Sequence, residues 1–241
     1  MSTFDLIILI ILLCVLLSIV GSYVVVGLFC RMLSRRSNNN TELENKGGDV
    51  VFNGAMCTYK TTIKKHIIDC LTGLTHYLCL RVGHIPSFKL RNFLYRVVFQ
   101  MKISKRTIIY GGCEFRNPWN IKIGNSVVGP NNVIDGRGGV EIGNSVCTAS
   151  FANIWTMQHN PQSTSFGTIS GKVVVEDYAW ISSRATVLPG RTIGKGSVIA
   201  AGGMISKDCE PYGIYAGIPA VKKGNRREDL DYKFQSHWWF L

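Results

Sequence analysis

The chain has 241 residues, of which 17% are charged and 46% hydrophobic, and its formal net charge is +12. That length suits one substantial domain plus an appendage, and a mean hydropathy of +0.14 argues against a disordered or wholly solvated chain. The eight cysteines are irregularly spaced with no Cys-x-x-Cys pair, which argues against a secreted disulfide framework and fits a reducing compartment.

The first predicted element is a membrane span. Leu6 to Cys30 carries no charge over 25 residues, and roughly 20 suffice to cross the hydrocarbon core. A cleaved signal peptide would have a basic leader and a small-residue cleavage site, and neither is present. Arg31, Arg35 and Arg36 follow, so the positive-inside rule places the rest of the chain in the cytoplasm as a single-pass inner-membrane protein. The anchor is therefore set at residues 1–31 and a polar linker at 32–59. Between Arg31 and Arg106 there are 14 Lys and Arg against 4 Asp and Glu, a charge excess that faces anionic lipid better than nucleic acid, for which no motif is present.

A basic helical region is predicted over 60–102. Ile63, Ile67, Leu71, Leu74 and Leu78 recur at helical spacing, and a second helix opens near Pro86. Its basic residues Lys89, Arg91, Arg96 and Lys102 alternate with Phe88, Phe93, Leu94 and Phe99, a pattern for lying on a bilayer surface or packing over the next domain.

From residue 103 to 223 the period is six. Val175, Ile181, Val187, Ile193, Ile199 and Ile205 stand in phase, with mostly small residues such as Ala179, Ala185, Ser197 and Gly203 four positions after them. A helix repeats at 3.6 and a strand at two, so six implies a solenoid with flat faces, three faces to a coil of 18 residues. Upstream the phase is looser, with two-residue slips at Ile121–Ile123 and Val140–Ile142 and a one-residue deletion before Val128. The 21 residues from Ile154 to Val175 exceed one coil by three, so a loop near 160–172 must leave the coil, with His159 at its root. Residues 224–241 form a charged tail ending in an aromatic cluster, with Arg226 and Arg227 expected in solvent.

The stretch "WISSRATVLPGRTIGKGSVIAAGGMISKDCEPYGIYAGIPA" together with "IWTMQHNP" resembles the hexapeptide-repeat acyltransferases, whose fold is a left-handed parallel β-helix. The resemblance is nearest to the galactoside, maltose, serine and xenobiotic acetyltransferases and to O-acetyltransferases of surface polysaccharides. It implies a homotrimer, with acetyl-CoA as co-substrate in a groove between coils and no metal. Acyl transfer to a hydroxyl needs a base, oxyanion donors and a held thioester, and histidine titrates near neutral pH. His159 is the only histidine between residues 103 and 223 and stands where the family carries its base. By the same resemblance Asn131 and Asp135 are substrate-binding candidates; Trp155 is a third because an aromatic face suits a pyranose ring, the alternative being that it faces solvent or a trimer interface. Trp180, Ser183, Ala201, Gly202, Ser206 and Lys207 fall along the CoA line. The family's cation after Pro219-Ala220 is replaced by Val221, which leaves Lys222 or Lys223 for that role.

The expectation is thus acetyl transfer from acetyl-CoA to a sugar hydroxyl of a surface polysaccharide, a lipid-linked glycan or a precursor. The alternatives are a small diffusible acceptor and a non-catalytic trimeric scaffold. A zinc hydratase on the same fold would need several histidines, and the coil has one.

Overall fold

The computed structural model describes residues 3–41, 50–52 and 63–235, so the aromatic cluster at 237–241 and Cys57 lie outside the described residues. The core is a left-handed parallel β-helix of about six turns preceded by helices. Its inward side chains stack in three columns, one per face. The first runs Ile103, Ile123, Ile142, Val175 and Ile193. The second runs Ile109, Val128, Thr148, Ile181, Ile199 and Tyr215. The third runs Phe115, Ile134, Ile154, Val187 and Ile205. All are buried, and each coil covers the apolar floor of the one before it.

The small residues sit where the chain turns a corner. The backbone N–H of Ala179, Ala185, Ser197 and Gly203 each donates to the carbonyl three residues back, at 3.0–3.3 Å. Ala179, Ala185 and Ser197 have no exposed surface, so a larger side chain there has nowhere to go.

The insertions all fall on one edge of this three-sided prism, where the third face passes to the first, whereas the one-residue deletion before Val128 falls between the first face and the second. Phe115 to Ile123 takes eight residues, with a short 3-10 helix Pro118–Asn120. Ile134 to Ile142 also takes eight. Ile154 to Val175 is this same corner, so its 21 residues are one six-residue step plus 15, not a whole coil plus three as the period alone suggests. The surplus folds outward as a hairpin in which Met157–His159 pairs antiparallel with Thr168–Ser170. The segment Val50–Phe52 adds a third strand to it, although the sequence places these residues in a linker.

Three helices cover the first coil. Helix α1 runs Thr3–Thr41, ten residues past the expected end of the span, so residues 32–41 are helical and not linker. It is the one described helix long and apolar enough to cross a membrane. Its later part packs on the domain: Val26, Phe29 and Cys30 are buried, and Phe29 meets Trp119 edge-on at 6.1 Å. Helix α2, Ile63–Gly83, buries only its second half, leaving Ile63 and Ile67 of the predicted stripe exposed. Helix α3, Phe88–Val97, is capped by Ser87, whose Oγ accepts from Leu90 N, and lies over the end of the coil. Of the two placements open to this helix, packing over the next domain is the one seen for Arg91, which is fully buried. Its guanidinium donates to the carbonyls of Ile85 and Pro86 in the α2–α3 connection and of Ile109 at a strand end, tying the helices to the coil.

At the other end Gly213–Gly217 and Ala220–Asn225 form an antiparallel pair. Arg226 is not solvated as expected. It donates to the carbonyls of Tyr178 and Gly196 and lies 5.8 Å from the centre of the Tyr232 ring, so it clips the tail to the coil.

Burial pushes the Cys113 thiol up to about 11 and the Cys209 thiol up to about 12, so neither forms thiolate at pH 8. Brief alkylation at pH 8 followed by peptide mass spectrometry is expected to label the exposed Cys70 and spare both. Shortening Ile199 to Ala, buried in the second column, is expected to cost about 2–5 kcal/mol, read as a lowered unfolding midpoint.

Candidate active site

The hairpin that leaves the insertion-bearing edge is closed by its own backbone. Asn160 N donates to Gly167 O at 2.8 Å, and Ser163 N to Asn160 O at 3.0 Å. The Ser163 hydroxyl accepts from Gly167 N at 2.9 Å. This turn brings Phe166 back over His159, and their rings stack with centroids 3.8 Å apart and planes 17° from parallel. His159 Nδ1 lies 3.0 Å from the Phe166 carbonyl. A carbonyl only accepts, so the neutral ring carries its proton on Nδ1 and presents the lone pair of Nε2. Phe166 holds φ at 53°, a left-handed conformation that a phenylalanine adopts at a cost of about 1–2 kcal/mol. Asn160, adjacent to the histidine, does not orient it, because its Oδ1 accepts from Gln162 N. The orienting group is a backbone carbonyl seven residues away, which no side-chain motif announces.

Asp135 lies beneath the same edge and has no exposed side-chain surface. One carboxylate oxygen accepts from the backbone N and Nε of Arg137, at 3.1 and 2.9 Å; the other accepts from Nη2 of Arg137 at 3.0 Å and Thr156 N at 3.3 Å. Thr156 in turn donates to the Asp135 carbonyl and accepts from Gly138 N, both within 2.8 Å. The carboxylate expected to face the acceptor is therefore spent holding the corner from which the hairpin springs. Trp155 is half-exposed on the outer surface of the third face, with the Arg116 guanidinium 5.1 Å from its ring centre. Ser206 and Lys207 turn the same corner two coils further on, with Lys207 exposed.

The remaining candidates occupy the other edge of the third face. There the chain turns through Asn131, Phe151, Arg184 and Gly202, all at positive φ. Their N–H groups donate from coil to coil: Asn131 to Gly111 O, Phe151 to Pro130 O, Arg184 to Ser150 O and Gly202 to Ser183 O, at 2.9–3.1 Å. Asn131, Ser183, Ala201 and Gly202 thus form one exposed column. Gly112 admits Asn131 to it, since a Cβ there would lie 2.1 Å from the Asn131 Oδ1. Within one chain this column and His159 are separated by the width of a face, on the order of 10 Å for a three-residue strand. Trp180 is 44% exposed on the second face. Lys222 is held by Glu210 at 2.7 Å, whereas Lys223 stands exposed on the last strand. Among the described residues no group of three or more His, Cys, Asp or Glu is placed to hold a metal ion.

No family model matches the chain. A chloramphenicol acetyltransferase of Klebsiella aerogenes is 39% identical over 72 residues, covering 29% of this chain and 34% of the relative. A protein of Escherichia coli K12 provisionally named colanic acid biosynthesis acetyltransferase WcaF is 27% identical over 135 residues, 56% of this chain and 74% of that protein. A hexapeptide-repeat acetyltransferase from Vibrio cholerae, solved with acetyl coenzyme A, superposes with a TM-score of 0.60 at 23% identity over 70% of this chain and 94% of that one. The chain shares its fold with hexapeptide-repeat acetyltransferases and is similar in sequence to proteins named acetyltransferases. It spans about a third of the length of the chloramphenicol acetyltransferase.

Replacing Asp135 by Ala leaves Thr156 N and the Arg137 guanidinium without their acceptor. The expected loss is about 1–3 kcal/mol of stability, with proteolytic nicking appearing first in 157–170. Unchanged thermal unfolding and an intact hairpin would contradict the anchoring role.

Proposed function

We propose that the protein is an acetyl-CoA-dependent O-acetyltransferase that modifies a sugar hydroxyl of a surface polysaccharide, a lipid-linked glycan or a precursor. The observation that carries this is the Nδ1 contact of His159 with the Phe166 carbonyl, which leaves a lone pair at the edge of the coil. Nε2 takes the proton of the acceptor hydroxyl as its oxygen attacks the thioester carbonyl carbon. The tetrahedral oxyanion is met by N–H donors, with Asn131 as the side-chain candidate. Collapse breaks the C–S bond, and the imidazolium returns the proton to the departing sulfur.

The separation of His159 from the Asn131 column supports a homotrimer in which one copy's histidine edge faces its neighbour's backbone column. Acetyl-CoA then lies along Ser183, Ala201 and Gly202, with Trp180 flanking it and Ser206 and Lys207, or Lys223, near its phosphates. Trp155 offers a ring face to a pyranose. In this reading α1 crosses the inner membrane and holds the coil on the cytoplasmic side, which suits an acceptor carried on lipid better than a diffusible one. The names of WcaF and of the chloramphenicol acetyltransferase favour transfer to a hydroxyl, and the acetyl coenzyme A in the Vibrio structure favours the donor.

His159→Ala is expected to lower kcat for acetyl transfer by roughly 10²–10⁴-fold with the unfolding midpoint and subunit number unchanged. The assay is coenzyme A release with nucleotide- and lipid-linked sugars as acceptors. Full activity in the variant would remove the proposed base.

A further inference from the structure

A second cavity lies far from the histidine, at the end of the coil that the helices cover. It encloses about 550 Å³ between α3, the turn at 104–107 and the chain at 234–235. Lys89, Arg96, Lys105 and Arg106 line it, and no Asp or Glu is among its lining residues. Lys89 makes a contact of its own, and the charges of Arg96, Lys105 and Arg106 around one hollow repel one another, which a bound anion relieves. A separate observation also points to a ligand. Asn92 lines the cavity and is only 3% exposed. Its Nδ2 donates to Thr107 O at 2.7 Å, but its Oδ1 is buried with no donor among the described residues. An unmatched buried acceptor is costly, and a ligand hydroxyl would satisfy it.

The position of the cavity narrows the source. Arg96 is two residues from Val98, and Val98 touches Gly27 in the last turns of the apolar stretch, where a Cβ would lie 3.8 Å from it. Leu90, Phe93 and Val97 stand exposed on α3, and Leu28 stands exposed on α1. Apolar side chains beside a span, with cations directly next to them, match the boundary between acyl chains and headgroups.

We propose that this cavity binds the phosphate of a membrane lipid whose headgroup carries a hydroxyl, the cations taking the phosphate and Asn92 Oδ1 accepting from the hydroxyl. The proposal rests on α1 being a membrane span and not on acetyl transfer.

The test uses the full chain in uncharged detergent, with native mass spectrometry counting bound lipid during titration. Short-chain phosphatidylglycerol is expected to bind one per chain, and phosphatidylcholine at least tenfold more weakly. Lys105→Gln with Arg106→Gln, both on an outer turn, is expected to weaken phosphatidylglycerol by roughly tenfold or more. Lys195→Gln with Arg191→Gln, which removes the same charge elsewhere, is expected to leave it unchanged. Equal affinity of the Lys105/Arg106 variant and the wild type, or of the two lipids, would overturn the site. Glycerol phosphate binding as tightly as the lipid would overturn the membrane source. Phosphatidylmethanol, of equal charge but without a headgroup hydroxyl, is expected to bind more weakly, and equality would remove the role given to Asn92. Flotation of the wild type with neutral vesicles reports the span separately, so a chain that floats but shows no phosphatidylglycerol preference has lost the cavity proposal alone.

Discussion

Each coil of this protein is too thin to bury anything by itself, and everything else follows from that. An aliphatic side chain every six residues makes a floor that only the next coil can cover, so the coils must stay in register along three columns. Register tolerates extra residues only where they can leave without disturbing a column. All three surpluses leave by the same edge, two residues twice and 15 once. The same constraint makes the ends expensive, because the first coil has no predecessor. Helices α2 and α3 supply one, with Tyr95 packed edge-on against Phe115 at 5.1 Å and Arg91 satisfying the Ile109 carbonyl at a strand end.

The histidine edge shows how a scaffold without long strands fixes one side chain. The hairpin adds no apolar column of its own; its geometry is set by backbone bonds within the turn and by the buried Asp135–Arg137–Thr156 network at its root. The histidine ring is fixed by stacking on one face and by one carbonyl at Nδ1, which defines a tautomer without a carboxylate. That economy leaves the charge of the edge to whatever binds there.

Much of this was legible in the residues, because period six has no other common cause. The inward residues from Val175 to Ile205, the small corner residues and the loop at His159 needed nothing beyond spacing and size. What escaped was information that does not reside in pattern. The 21-residue gap fits a coil plus three as well as a corner plus 15, and only strand pairing separates the two. Asp135 reads as a free carboxylate until Arg137 closes on it. Arg226 reads as surface charge, since composition does not reveal that a backbone carbonyl waits nearby. The helical continuation of α1 through 32–41 was hidden by polar residues that favour a linker, and the pairing of Val50–Phe52 with the hairpin is a contact over more than a hundred residues.

The corner helix Pro118–Asn120 that meets α1 through Trp119 belongs to the same edge that, two coils on, releases the hairpin. Coils are spaced by roughly 4.8 Å, so about 10 Å of edge separates the layer gripping the anchor from the layer presenting His159. The protein is thus built like a ruler clamped at its zero mark. Reach is counted in whole coils, and a chain with one more or one fewer between the corner helix and the hairpin would hold its histidine about 5 Å further from, or nearer to, its own α1.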